Sequence, residues 1–211
     1  MRLGLLGGSF DPPHLGHLHV ARAAHDALDL DRVLLIPAAR PPHKLGRVLA
    51  SDEDRVAMTG LLARAEPWLQ VDRRELSRGG TSYTYDTLAE ICRDLSNPGD
   101  EIFFLLGSDS LVDLPTWHRA AELVTLATIV TVPRDPASLE LGRAQVRLAL
   151  PAAAERILEH VLDVEPMEIS SSGIRARARA GQPIDELVPR AVADYLRAHR
   201  LYREPGTATA S

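Results

Sequence analysis

The tract Gly7-Gly8-Ser9-Phe10-Asp11-Pro12-Pro13-His14-Leu15-Gly16-His17 decides the reading of this 211-residue chain. It follows a short apolar run, Arg2 to Leu6, and opens a helical pattern from about Leu15 to Leu28 whose apolar stripe includes Leu18, Ala21 and Leu28. Val33 to Ile36 then supplies a fully apolar strand of the kind buried in a parallel sheet, so the first 36 residues read as a βαβ unit. At its first turn, Gly7 and Gly8 let the backbone approach a ligand closely, and the helix aims its free amides at the same place. His14 and His17 are three apart at the helix start, so both imidazoles can face that point, and Gly16 removes a side chain that would crowd it. The tract predicts a phosphate-sized anion site with two flanking donors. Two plainer readings stand beside it. One histidine caps the helix while the other lies on the surface, or His14, His17 and His19 form a zinc site, for which no acidic or cysteine partner is spaced nearby.

Other signatures are excluded. A P-loop needs a Gly-Lys-Ser/Thr step, but the only lysine, Lys44, stands between His43 and Leu45. Glycines 4, 7, 8 and 16 miss the GxGxxG spacing, and Gly7 to Asp11 lacks the final glycine of a hydrolase elbow. One cysteine, Cys92, excludes a Cys-based metal or redox centre and an internal disulfide.

Outward from the tract, Pro37 to Gly46 reads as a proline-rich loop. Ser51, followed by Asp52, Glu53 and Asp54, starts a helix to about Ala65. Leu69 to Val71 reads as a strand, and a helix runs from near Thr84 to about Leu95. After the Asn97-Pro98-Gly99 turn, Ile102 to Leu106 is a central strand; a helix around Arg119 to Leu126 precedes the strand Thr128 to Val132. This alternation predicts an α/β fold: a doubly wound, Rossmann-like parallel sheet with right-handed crossovers. The last third predicts a small helical part, with a strand at Val161 to Val164, a short helix at Gly173 to Ala180 and a final helix at Val188 to His199. One domain over residues 1–203 and a disordered tail over 204–211 are expected.

The formal net charge of −5 argues against a broad basic face for nucleic acid, so any bound anion must be gripped locally. No apolar run approaches the roughly 20 residues needed to span a bilayer. With one cysteine and no long apolar signal region, the expectation is a soluble protein of the cytoplasm. Its oligomeric state is left open.

A second constellation is Ile169-Ser170-Ser171-Ser172-Gly173-Ile174-Arg175: three hydroxyls before a helix start, with an arginine one turn in. Serines there are commonly just caps, so alone it is weak. Joined to the HxGH element of the first tract, it resembles the nucleotidyltransferase superfamily and, within it, the bacterial nicotinate-nucleotide adenylyltransferases. The resemblance extends to Pro42-His43-Lys44, to Ser82-Tyr83-Thr84 with Thr87 and Leu88, to Gly107-Ser108-Asp109 with Trp117, and to the closing Leu187-Val188-Pro189 through Tyr195, His199, Leu201 and Tyr202. It is weakest from Asp135 to Leu162.

The resemblance implies transfer of the adenylyl group of ATP to nicotinate mononucleotide with release of pyrophosphate. His14, His17 and Arg175 are then the catalytic residues, His17 nearest the α-phosphate. Arg175 with Ser171 or Ser172 takes the β and γ phosphates, and Asp109 holds the adenosine ribose. Gly8, Ser9, Phe10, Gly107 and Ile169 complete the ATP site. Lys44, Tyr83, Thr84 and Trp117 form the acceptor site, with backbone amides near Tyr83 and Thr84 on the pyridine carboxylate and Trp117 stacked on the ring. A helix dipole there favours the acid over the amide. Mg2+ is expected on the triphosphate, with no protein metal site. From spacing alone Asp109 is as well read as a cap, and Trp117 as core packing. A phosphopantetheine adenylyltransferase, or another related adenylyltransferase, is the near alternative; a non-catalytic nucleotide-binding module is the more distant one.

Overall fold

The computed structural model describes residues 1–39, 50–95 and 97–203. Among them, six strands form one all-parallel sheet: β1 (Arg2–Gly8), β2 (Arg32–Pro37), β3 (Leu69–Val71), β4 (Glu101–Gly107), β5 (Thr128–Val132) and β6 (His160–Val161). Their order is β3-β2-β1-β4-β5-β6, so the winding reverses between β1 and β4, with Leu3 opposite Ile102 and Leu5 opposite Phe104. In sheets of this kind the crevice beyond the carboxyl ends at that reversal is where ligands bind.

Successive residues of a strand face opposite layers, and β4 shows the consequence. Ile102, Phe104 and Leu106 join one core with Leu5, Leu88, Ile91, Leu111 and Ile129. Phe103 and Leu105 join the other, with Leu18, Met58, Leu62, Ile174 and Val192. The helices contributing to the second core are α1 (Leu15–Ala27), α2 (Asp52–Ala63), α8 (Ser171–Arg179) and α9 (Arg190–Ala198). Those contributing to the first include α4 (Thr84–Asp94), α5 (Ser108–Asp113), α6 (Pro136–Ala149) and α7 (Ala154–Leu158); the short α3 (Arg74–Arg78) precedes α4. No helix of the described residues is long and apolar enough to cross a membrane.

The expected sheet and helix order holds, with local corrections. The Val161 to Val164 strand shortens to His160–Val161, and the helix around Arg119 to Leu126 is a 3-10 helix, Ala120–Thr125, entered through Arg119 at φ 55°. The closing helix runs only from Arg190 to Ala198: Pro189 is its N-cap, extended at ψ 145° with its carbonyl accepting the Ala193 amide at 3.0 Å, and a residue before a proline, here Val188, is disfavoured in the helical region. The unread stretch after Asp135 forms α6: Asp135 Oδ1 accepts the Ser138 amide at 2.8 Å, and Pro136 occupies the first turn. The Pro42-His43-Lys44 loop and the 204–211 tail lie outside the described residues.

Candidate active site

β1 ends at Gly7 and Gly8, and Phe10, at φ 48°, turns the chain towards α1. The turn is held from below by Arg55 of α2, fully buried, whose Nη1 donates to the Ser9 carbonyl at 2.8 Å and whose Nη2 pairs with Asp52 at 2.5 Å. Sequence reasoning missed Arg55; its signal is an arginine on a helix face otherwise apolar, with an acid three residues earlier.

His14 is the N-cap of α1, and its ring lies against that of His17, tilted by 36° with 3.8 Å between centroids; the Phe10 ring lies 4.8 Å from His17. The His14 amide donates to His17 Nδ1 at 3.1 Å. That acceptor nitrogen carries no proton, so neutral His17 holds its proton on Nε2. His17 therefore presents an N–H donor from a ring that the backbone has oriented. His14 is 5% exposed, and burial, helped by the positive charge of Arg134, lowers its pKa to about 4. His14 is therefore a neutral imidazole at neutral pH, without the ion's desolvation cost. A Cβ on Gly16 would stand 3.0 Å from His14 Nδ1 and 3.1 Å from its Cε1, so the glycine is the space in which the ring lies.

The second tract reaches this turn from about 160 residues away. Ser170 caps α8 by accepting the Gly173 amide at 3.1 Å. Ser171 donates to the Pro12 carbonyl at 2.8 Å, and Arg175 Nη1 donates to the Asp11 carbonyl at 2.7 Å. Ile169 comes within 3.8 Å of a Cβ at Gly16. The structure thus joins the two tracts, with one amendment. The single proton of Ser171 is committed to Pro12, which makes it a clasp; Ser172, exposed and 3.2 Å from the capping Ser170 hydroxyl, is the serine here that neither caps the helix nor holds the turn.

At the end of β4, Asp109 Oδ1 pairs with Arg134 Nε at 3.2 Å. A Cβ on Gly107 would lie 2.5 Å from that same Oδ1, so the pair depends on the glycine. The Arg134 amide donates to Ser108 Oγ at 2.9 Å, and Ser108 meets Ser138 of α6 at 2.7 Å. Arg134 was also missed, since an arginine two residues beyond a strand has no distinguishing context.

The residues expected to meet the acceptor sit at the start of α4 and after the 3-10 helix Leu114–Thr116. Ala38 donates to the Gly8 carbonyl and Ala39 to Ser82 Oγ, both at 2.9 Å, which brings the start of α4 beside the first turn. Tyr83 is the N-cap of α4 and makes no side-chain cap; its ring packs on His118 at 4.7 Å. Trp117 is half-buried and edge-on to Phe104 at 6.3 Å, so core packing is part of its role. Beneath lies buried Glu75, which accepts the Thr87 hydroxyl at 2.8 Å and the Ser82 hydroxyl. Burial raises its pKa against the pull of both hydroxyls and of Arg78. Among the described residues no cluster of three His, Cys, Asp or Glu side chains is placed to hold a metal; His19, the third member of the zinc reading, instead bonds the Glu165 carbonyl at 2.9 Å.

Parallel-sheet switch point, paired imidazoles and a distant arginine helix clasped to the same turn are the arrangement that the resemblance to nucleotidyltransferases implies. Comparison with known proteins agrees and narrows the class. Residues 5–177 match the cytidylyltransferase-like family. Two relatives carry the name "Probable nicotinate-nucleotide adenylyltransferase". One, from Thermus thermophilus, is 44% identical over 203 residues, covering 96% of this chain and 100% of the relative. The other, from a Roseiflexus species, is 40% identical over 201 residues, covering 95% and 98%. The fold is shared with a Plasmodium falciparum nicotinic acid mononucleotide adenylyltransferase complexed with NaAD (TM-score 0.69, 18% identity, 95% of this chain and 97% of that one). The chain belongs to the cytidylyltransferase-like family and, within it, to the nicotinate-nucleotide adenylyltransferases.

Proposed function

We infer that this chain is an enzyme that transfers the adenylyl group of ATP to nicotinate mononucleotide, giving nicotinate adenine dinucleotide and pyrophosphate. The observation that carries the reading is the junction of the two tracts, where Ser171 and Arg175 bond the Asp11-Pro12 turn beside His14 and His17. A phosphate oxygen of the mononucleotide attacks the α-phosphorus of ATP, and the bond from that phosphorus to the bridging oxygen of pyrophosphate breaks. The nucleophile is already an anion, so no general base is needed. The barrier lies in bringing two polyanions together and in stabilising charge on the α-phosphate and the leaving group.

The donors present suit that task. His17 Nε2–H is assigned to the α-phosphate, His14 to its neighbour, and Arg175 with Ser172 to the β and γ phosphates; Ser171 holds the turn to which they are fixed. Asp109, steadied by Arg134, is assigned to the ribose. The turn offers N–H and guanidinium donors, and its one carboxylate, Asp11, is buried and already hydrogen-bonded. This set fits phosphate oxygens, so Mg2+ is proposed to ride on the triphosphate, where it would neutralise charge on the leaving pyrophosphate.

On the acceptor side, the uncapped amides of α4 at Thr84 are assigned to the pyridine carboxylate, with Tyr83 and Trp117 beside the ring and Lys44 at the substrate phosphate. Residues 1–203 are taken as one domain serving both substrates. With a single cysteine and no spanning helix among the described residues, the reading places the enzyme in the reducing cytoplasm. The experiment supplies purified protein, ATP and Mg2+ with nicotinate mononucleotide, its amide or phosphopantetheine in turn, and follows pyrophosphate. The reading expects release fastest with the first.

A further inference from the structure

Asp11 is 1% exposed, and its contacts reach far along the chain. Its Oδ1 accepts the phenol of Tyr202 at 2.7 Å, across 191 residues, and the Ala50 amide at 3.1 Å. Its Oδ2 lies 3.6 Å from Arg175 Nη1, the atom that donates to the Asp11 carbonyl at 2.7 Å. Both contacts of Arg175 with Asp11 therefore run through one nitrogen, and Nε and Nη2 remain for a ligand. Tyr202 is brought here by the end of α9, where Arg200 and Tyr202 both take positive φ, 52° and 63°, and by Tyr195, which ties α9 to Asp54 at 2.9 Å.

A buried carboxylate must be satisfied by donors, and a charged one competes strongly for a nearby guanidinium. We propose that Tyr202 is a positioning residue for ATP: by donating to Asp11 Oδ1 it satisfies the carboxylate and keeps Arg175 free to grip the triphosphate. Without the phenol proton the buried carboxylate loses its shortest hydrogen bond among the described residues, and Arg175, whose Nη1 already stands 3.6 Å from Oδ2, is the cation placed to make up the loss. The guanidinium is then drawn into the protein and away from the phosphates. Burial and the adjacent Asp11 charge push the Tyr202 phenol well above its usual pKa range, so it remains a donor at any working pH.

The proposal rests on the assignment of Arg175 to ATP made above, and its test uses no acceptor. Binding of the non-hydrolysable analogue α,β-methylene-ATP with Mg2+ is measured by calorimetry for the unaltered chain, Tyr202→Phe, Arg175→Ala and the double variant, with melting curves alongside. The expected result is a roughly tenfold loss for Tyr202→Phe, as for a hydrogen bond to a charged group, and no further loss when it is added to Arg175→Ala. Asp11→Asn removes the competing charge, so Tyr202→Phe should also be without effect in that background. This background decides the matter if Tyr202→Phe alone melts too low to assay. Undiminished binding by Tyr202→Phe, or the same tenfold loss in all backgrounds, would overturn the proposal. Analogue binding that follows the expected pattern without pyrophosphate release from nicotinate mononucleotide would sink the acceptor reading and leave Tyr202 in place. No analogue binding by the unaltered chain would overturn both.

Discussion

The two sides of the sheet's switch point are held together by different kinds of contact. On the side proposed for ATP, the turn at Asp11 and Pro12 is bonded by Ser171, Arg175 and Tyr202, which stand 159, 164 and 191 residues away in sequence. On the side proposed for the acceptor, Glu75, Arg78, Thr87 and Glu90 bond one another over only 9 to 12 residues. A longer hydrogen bond there, among the described residues, joins Ala39 to Ser82, 43 residues apart. A site built from long-range contacts forms only when the whole fold forms, so its geometry is shared by the entire domain. A site built within one helical segment can be altered without disturbing the rest. Substitutions should separate accordingly: ATP-side changes act on the chemical step and on ATP, acceptor-side changes on the mononucleotide alone.

The largest expected effect is on the ATP side. His17→Ala removes the donor assigned to the reacting phosphate and should lower kcat about a thousandfold, as loss of one preorganised donor at developing charge does. The melting temperature should stay nearly unchanged, since His17 is only partly buried. Steady-state pyrophosphate release checks this, and near-normal turnover would remove His17 from the site.

Acid should act on the two sides with opposite sign. His14 has a folded pKa lowered from 6.5 to about 4, so it contributes stability that is present above 6.5 and lost as pH falls through about 4. The loss is on the order of 3 kcal/mol by the lower end of that window. Glu75 has a raised folded pKa, so its contribution is present below the ordinary carboxyl range and lost as pH rises through the raised value. Chemical denaturation at a series of pH values should show His14→Gln flattening the acid limb and Glu75→Gln flattening the opposite one. Parallel curves for all three proteins would contradict both assignments.

Smaller effects should sort by substrate. Gly107→Ala puts a Cβ 2.5 Å from Asp109 Oδ1 and must displace the Asp109–Arg134 pair, so KM for ATP should rise roughly tenfold with the acceptor KM unchanged. Glu75→Ala leaves the Ser82 and Thr87 hydroxyls without their acceptor beneath the start of α4. It should raise the mononucleotide KM about fivefold and spare that for ATP, with Glu75→Gln recovering most of the loss. Equal movement of both KM values in either variant would erase the distinction between the sides.

How much of this was legible in the sequence follows the same division. The sheet and its switch point were readable because fully apolar strands alternate with amphipathic helices. The two tracts that meet at the Asp11-Pro12 turn were readable because glycines, histidines and hydroxyls at helix starts have few other reasons to be arranged so. What could not be read was how those groups are already engaged: that Ser171 gives its proton to Pro12, that Arg175 shares Asp11 with Tyr202, or that Arg55 supports Ser9. These contacts join residues whose proximity only the folded sheet creates. Arg134 and Glu75 carry no local pattern at all. The helix after Asp135 is different, for its Asp-Pro start is a recognised helix opening and was overlooked. The net charge of −5 fits the proposed site, in which helix ends, imidazoles and a few arginines are the local donors and no broad basic face is required.

The most direct test of the account is pyrophosphate release by the purified protein with ATP, Mg2+ and nicotinate mononucleotide, repeated with the amide mononucleotide and with phosphopantetheine. The account predicts turnover with nicotinate mononucleotide well above that with either of the others, and nicotinate adenine dinucleotide formed in equal amount to pyrophosphate. No release with nicotinate mononucleotide, or faster release with phosphopantetheine, would contradict it.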